Sequence, residues 1–151
     1  MQATRGEEAA AMGRFGYVSA YDPERHMARV MFPDKGELVS AWLPVAGPNT
    51  KKDGDERPLD VGEHVYCNML GNGLEVGIVL GAFWDDKNKP KRGDADVRQV
   101  TFDDGAVVAY DRKEHRLTVR LPPDPEAVVE IAAPKIVLRG EVVRERYEDA
   151  P

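Results

Sequence analysis

The stretch Asp60–Trp84, DVGEHVYCNMLGNGLEVGIVLGAFW, sets two apolar runs on either side of a Gly71-Asn72-Gly73 turn and leaves this part of the chain little choice but a β-hairpin. His64–Leu70 reads as its first strand and Glu75–Phe83 as its second, both rich in β-branched and aromatic residues. Gly77 and Gly81 interrupt the second strand, where glycine marks a bulge, a bend or a close backbone approach of the kind a small barrel needs at its corners. Upstream, Phe15–Tyr21, Met27–Phe32 and Leu38–Leu43 have strand composition and are separated by the turn signals Asp22-Pro23-Glu24 and Pro33-Asp34-Lys35-Gly36. The resulting five strands over residues 15–84 predict an OB-type barrel, with an SH3-like barrel as the competing architecture.

Before this region, residues 1–14 read as an N-terminal arm with a short helix from Glu7 to Met12 or a frayed tail. After it, residues 85–96 are almost free of apolar side chains and read as a linker. Residues 97–151 return to short strands, expected at Val97–Phe102, Ala106–Tyr110, Arg116–Leu121, Val128–Ala132, Lys135–Leu138 and Glu141–Val143. Alternation in this last segment implies one buried face. Yet Phe102 and Tyr110 are the only aromatics in its strands, too little for a core of its own. Packing on the barrel or association with copies of the same chain would resolve this. Regular late strands favour association, with Val107, Leu117, Val119, Leu121, Val129, Ile131, Ile136 and Leu138 as the shared core.

Composition excludes several classes. A formal net charge of −6 argues against a general nucleic-acid binder, which must neutralise phosphates with lysine and arginine. Cys67 is the single cysteine, so no internal disulfide is available, and its place within a strand predicts a packed thiol. No run approaches the roughly 20 apolar residues of a membrane helix, and the acidic start is unlike a signal peptide, so assembly in a cytoplasm is expected.

The blocks Gly16-Tyr17-Val18, Arg29–Asp34, Ser40–Val45, Asp60–Val65 and Gly77–Phe83, continuing through Phe102-Asp103-Asp104-Gly105 and Tyr110-Asp111, resemble the baseplate assembly protein V family, the central tail spike of contractile-tailed phages. The resemblance spans most of residues 15–121. It implies an all-β chain in which an N-terminal five-stranded OB-type barrel is followed by an intertwined trimeric β-helix. It also implies a homotrimer located in the virion tail baseplate, in contact with hub and tail tube proteins, which is driven through the host envelope on contraction. The number three comes from the resemblance alone. Many such spikes close with a His-x-His pair that holds iron at the tip, whereas His26, His64 and His115 stand apart here. A metal role is therefore not carried over. Either a separate tip protein caps the C-terminal end, or the charged terminus Arg144–Pro151 closes the spike in another way.

No catalytic residue or cofactor site is expected. Relatives that insert a lysozyme domain between barrel and needle have no counterpart in a linker of a dozen residues. Asp85-Asp86 and Asp103-Asp104 read as turn residues, and the odd spacing of His64 and Cys67 sends them to opposite faces of a strand. Tyr17, Tyr21, Trp42, Phe83 and Trp84 could form a base-stacking platform, although core packing accounts for them equally well. The polar loop Pro48–Pro58, with Lys51, Lys52 and Arg57, is expected to face the hub. The alternative function is a monomeric OB-type module that binds single-stranded nucleic acid or carbohydrate.

Overall fold

The structure is a computed structural model that describes residues 13–71 and 73–145. The helix expected at Glu7–Met12, the centre of the turn at Asn72 and the terminus from Arg146 fall outside the described residues. The chain is all-β, with two antiparallel sheets and a lone 3-10 turn at Pro33–Lys35 among the described residues. It divides into two compact units at Lys89/Pro90.

The first unit is built from β1 (Arg14–Asp22), β2 (Met27–Phe32), β3 (Leu38–Val39), β4 (Leu43–Pro44), β5 (His64–Met69) and β6 (Gly77–Ala82). Its ladders run β3-β2-β1-β5-β6, with β4 also paired to β2. The third expected strand is thus broken in two. Ser40 lies in the break, fully buried, and its hydroxyl donates to Ala41 O (2.7 Å) and accepts from Val30 N–H (2.9 Å). Beyond β4, Val45 forms a parallel bridge to Val79, and Ala46 N donates to Val79 O at 2.8 Å. That bridge joins the two ends of the sheet, so the strands form a circuit β1-β2-β4-β6-β5 that returns to β1. β3 pairs only with β2.

Strand alternation fills this circuit. Val18, Ala28, Val30, Phe32, Leu43, Val65, Cys67, Met69 and Val79 form one buried cluster. Burying a Val, Leu or Phe side chain is worth about 1.5–3 kcal/mol against leaving it exposed, so the unit has a core within a single chain. The two interrupting glycines differ. At Gly77 a Cβ would lie 2.7 Å from Asn68 O, a close approach, whereas beside Gly81 the register against Tyr66 and Cys67 shifts by one residue at Leu80, a bulge. β1 begins at Arg14, one residue inside the expected arm, with the guanidinium buried beside Asp34 (3.2 Å).

The second unit contains β7 (Val97–Thr101), β8 (Val107–Asp111) and β9 (Arg116–Arg120), paired in that order. Strands expected at Val128–Ala132, Lys135–Leu138 and Glu141–Val143 do not form, since residues 121–145 contain no strand. Pro122, Pro123, Pro125 and Pro134 withhold backbone donors, and within the described residues β9 pairs only with β8.

Candidate interaction surfaces

The register of the second sheet sorts its side chains into two faces. Val100, Val108 and Val119 stand in one cross-strand row, and Arg98, Tyr110 and Leu117 in the next row of the same face. The opposite face carries the rows Thr101, Val107, Arg120 and Gln99, Ala109, Thr118. The apolar face is open: Val108 is 40 % exposed, Val119 53 % and Leu117 69 %. By contrast, Ala106 and Ala109 are the only buried apolar residues of this unit among those described.

The eight residues expected to share an oligomer core are therefore not all placed alike. Leu117 and Val119 share the apolar face, while Val107 lies on the opposite one, half-buried. Val119, Leu121 and Val129 line one open concavity, together with Pro122, Pro125 and Ala127. Val129, Ile131, Ile136 and Leu138 are exposed on the strand-free segment.

On the first unit, side chains of β1 and β5, with Phe83 just after β6, form a cluster of rings. Phe15 lies opposite Tyr66 and Tyr17 opposite His64 across the β1–β5 ladder. The Phe83 amide donates to His64 O (3.1 Å), which extends the second row. The His64 ring stacks on Tyr17 with centroids 4.4 Å apart and lies 4.2 Å from Phe83, while Phe15 meets Tyr66 at 5.2 Å and Phe83 at 5.3 Å. Of the residues expected to make a stacking platform, only Tyr17 and Phe83 meet here. Tyr21 bonds instead to His26 (Oη to Nδ1, 2.6 Å), Trp42 lies under the Arg25 guanidinium and Trp84 is exposed.

One contact at this surface is invisible to motif reading. His64 Nδ1 lies 3.1 Å from Asp85 Oδ2, and both side chains are mostly buried. Asp85 also accepts from the Lys87 and Asn88 amides through Oδ1. Those two backbone donors, Asn88 foremost, and then His64 hold its carboxyl below the usual carboxylate range. The hairpin register contains the signal: His64 faces Phe83, so residue 85 is its diagonal neighbour. Cys67 points inward from the same strand, and burial pushes its thiol up to about 11.

In the loop Pro48–Pro58, a bridge between Thr50 and Gly54 places Lys51 and Lys52 at an exposed tip. Arg57 is not equivalent to them, because it is paired with Asp55 (Nε to Oδ2, 3.0 Å), which raises the guanidinium pKa and lowers that of the carboxyl. Among the described residues no group of three or more His, Cys, Asp or Glu side chains is placed to hold a metal ion. No family model matches the chain, and no curated protein is a detectable relative of it.

Proposed function

We propose that the protein is the structural central spike of a contractile-tail baseplate, a stiff homotrimer that plugs the tail tube and pierces the host envelope on contraction. The observation that carries this reading is the second unit's open apolar face. A unit that buries only two alanines among its described apolar residues, while Val100, Val108, Tyr110, Leu117 and Val119 are exposed, lacks a core of its own. Three such faces turned toward a common axis would supply one. Leu121 would extend that interior, and Val129, Ile131, Ile136 and Leu138 would continue it as strands paired between chains, in keeping with the absence of any strand over residues 121–145 in a single copy. The circuit β1-β2-β4-β6-β5, with β4 and β6 in parallel contact, supports reading the first unit as an OB-type barrel. The exposed Lys51 and Lys52 tip is its hub-facing loop in this reading, with Arg57 stiffening the loop through Asp55. The protein acts here as a mechanical part and not as an enzyme, located in the virion tail.

Sedimentation tests the reading at dilute concentration, together with two substitutions on opposite faces. Val119→Asp places three carboxylates at the axis, each costing several kcal/mol if unpaired, on the order of a domain's whole stability. Thr118 is half-buried beside Ala109, so Arg120→Asp is the better control on the other face. A wild-type trimer retained by Arg120→Asp and lost in Val119→Asp is expected. A monomeric wild type overturns the proposal. It would instead favour a binding module for carbohydrate or single-stranded nucleic acid, which the outer aromatic surface of the first unit supports.

A further inference from the structure

The twelve residues from Asp85 to Asp96, nine of them polar or charged, are not a uniform tether. At their start, Asp85 is fastened to the first unit through His64, whose ring is fixed between Tyr17 and Phe83. The same carboxylate closes a turn, since its Oδ1 accepts from Lys87 N (2.9 Å) and Asn88 N (2.7 Å), and Asp85 N donates to Asn88 O (3.1 Å). At their end, the chain is fastened to the turn that follows β8. Arg112 Nε donates to Asp96 Oδ1 (2.6 Å) and its amide donates to Asp96 O (3.0 Å). Arg92 reaches Asp111 Oδ2 (3.3 Å) and Asp94 Oδ2 (3.7 Å), and Asp94 Oδ1 accepts from Asp96 N (2.9 Å). Between Asn88 and Arg92, neither Lys89 nor Lys91 makes a hydrogen bond or ion pair among the described residues, and Pro90 has no amide to donate.

We propose that the connection between the two units is a double clasp whose only hinge is Lys89-Pro90-Lys91. Four aspartates do the fastening: Asp85 on one side, and Asp94, Asp96 and Asp111 on the other. In Asp85, Asp94 and Asp111 one oxygen of the short side chain reaches neighbouring amides and the other meets a cation or imidazole, while the Asp96 carboxylate accepts from Arg112. The free span from Asn88 to Arg92 is then at most about 14 Å, against roughly 40 Å for twelve unfastened residues. A pull along the connection is met first by side-chain clasps and not by the backbone ladders of β6 or β7.

Backbone amide order parameters on the full chain test this. In the wild type, values near 0.85 are expected at Lys87, Asn88, Asp96 and Val97, with values below about 0.6 confined to Lys89 and Lys91. Asp85→Ala should extend the low values back through Asn88 and leave Asp96 ordered. Arg92→Ala combined with Arg112→Ala should extend them forward to Asp96 and leave Lys87 ordered. His64→Phe keeps the ring packing but removes Nδ1, and should loosen Asp85 while the signals of the β5 core residues stay in place. Uniformly low values from Asp85 to Asp96 in the wild type overturn the proposal, as do uniformly high ones, or variants whose profiles match the wild type.

Discussion

Gly16 stands where the first unit leaves no room for a side chain. A Cβ built there lies 2.4 Å from Val30 Cγ1, 2.7 Å from Met31 O and 2.9 Å from Phe32 Cδ1, and the carbonyl cannot move without disturbing the β1–β2 ladder. Gly16→Ala should therefore cost about 1–3 kcal/mol, seen as a lower urea midpoint at unchanged slope. Gly54→Ala, with nothing within 4 Å of its Cβ, should change the midpoint little. Legibility at this scale depends on what a residue must meet. The inward positions of Val65, Cys67 and Met69 follow from alternation within one strand. Val107 could not be assigned that way, because alternation separates the two faces of one strand but does not say which matches a face of the next. The register across the Asp111–His115 turn decides that, and it sets Val107 opposite Arg120, not Val119. The aromatic surface is not legible from residue type for a similar reason, because cross-strand rows pair Phe15 with Tyr66 and Tyr17 with His64.

Among the elements, one turn is used twice. Ala20-Tyr21-Asp22 is followed after three residues by His26, and Ala109-Tyr110-Asp111 is followed after three residues by His115. In both, the aspartate Oδ1 accepts from the amides two and three residues on, and the histidine closes the turn at positive φ, 52° and 53°. The carboxyl of Asp22 is held below its usual range by Arg25 first, then by turn amides, and that of Asp111 by the amides of Glu114 and Lys113 and by Arg92. Because these folded-state values are depressed, the contribution is complete above the unfolded carboxylate range near pH 4 and is lost as pH falls through the folded values. The double variant Asp22→Asn, Asp111→Asn should therefore show a shallower loss of stability than the wild type between pH 5 and pH 2, measured by urea denaturation at each pH. The first of these turns is readable from Asp22-Pro23, and the second from the charged run Asp111–His115 between two strand-like segments. The strands expected after Leu121 do not form within the described residues, because strand-like composition does not supply a paired neighbour and Pro122, Pro123, Pro125 and Pro134 withhold backbone donors.

At the scale of the whole molecule, the two units stand in contrast, the first with nine clustered buried residues and the second with two buried alanines. A fragment ending at Lys89 should fold cooperatively and sediment as a monomer, whereas a fragment starting at Pro90 should be structured only when it self-associates. A Met1–Lys89 fragment that forms a tight trimer would relocate the oligomer contacts to the first unit. The single bridge between Val45 and Val79 has an effect out of proportion to its size. Once the strand circuit returns to β1, the outer edge of β6 is no longer continuous, because the bridge at Val79 interrupts the row of amides and carbonyls along which a foreign strand could zip. β7 and β9 each keep such a row. The chain is thus polar in the chemist's sense of a monomer with one inert and one reactive end. Among the described residues, backbone pairing between copies is therefore expected at β7 and β9 sooner than along the first unit.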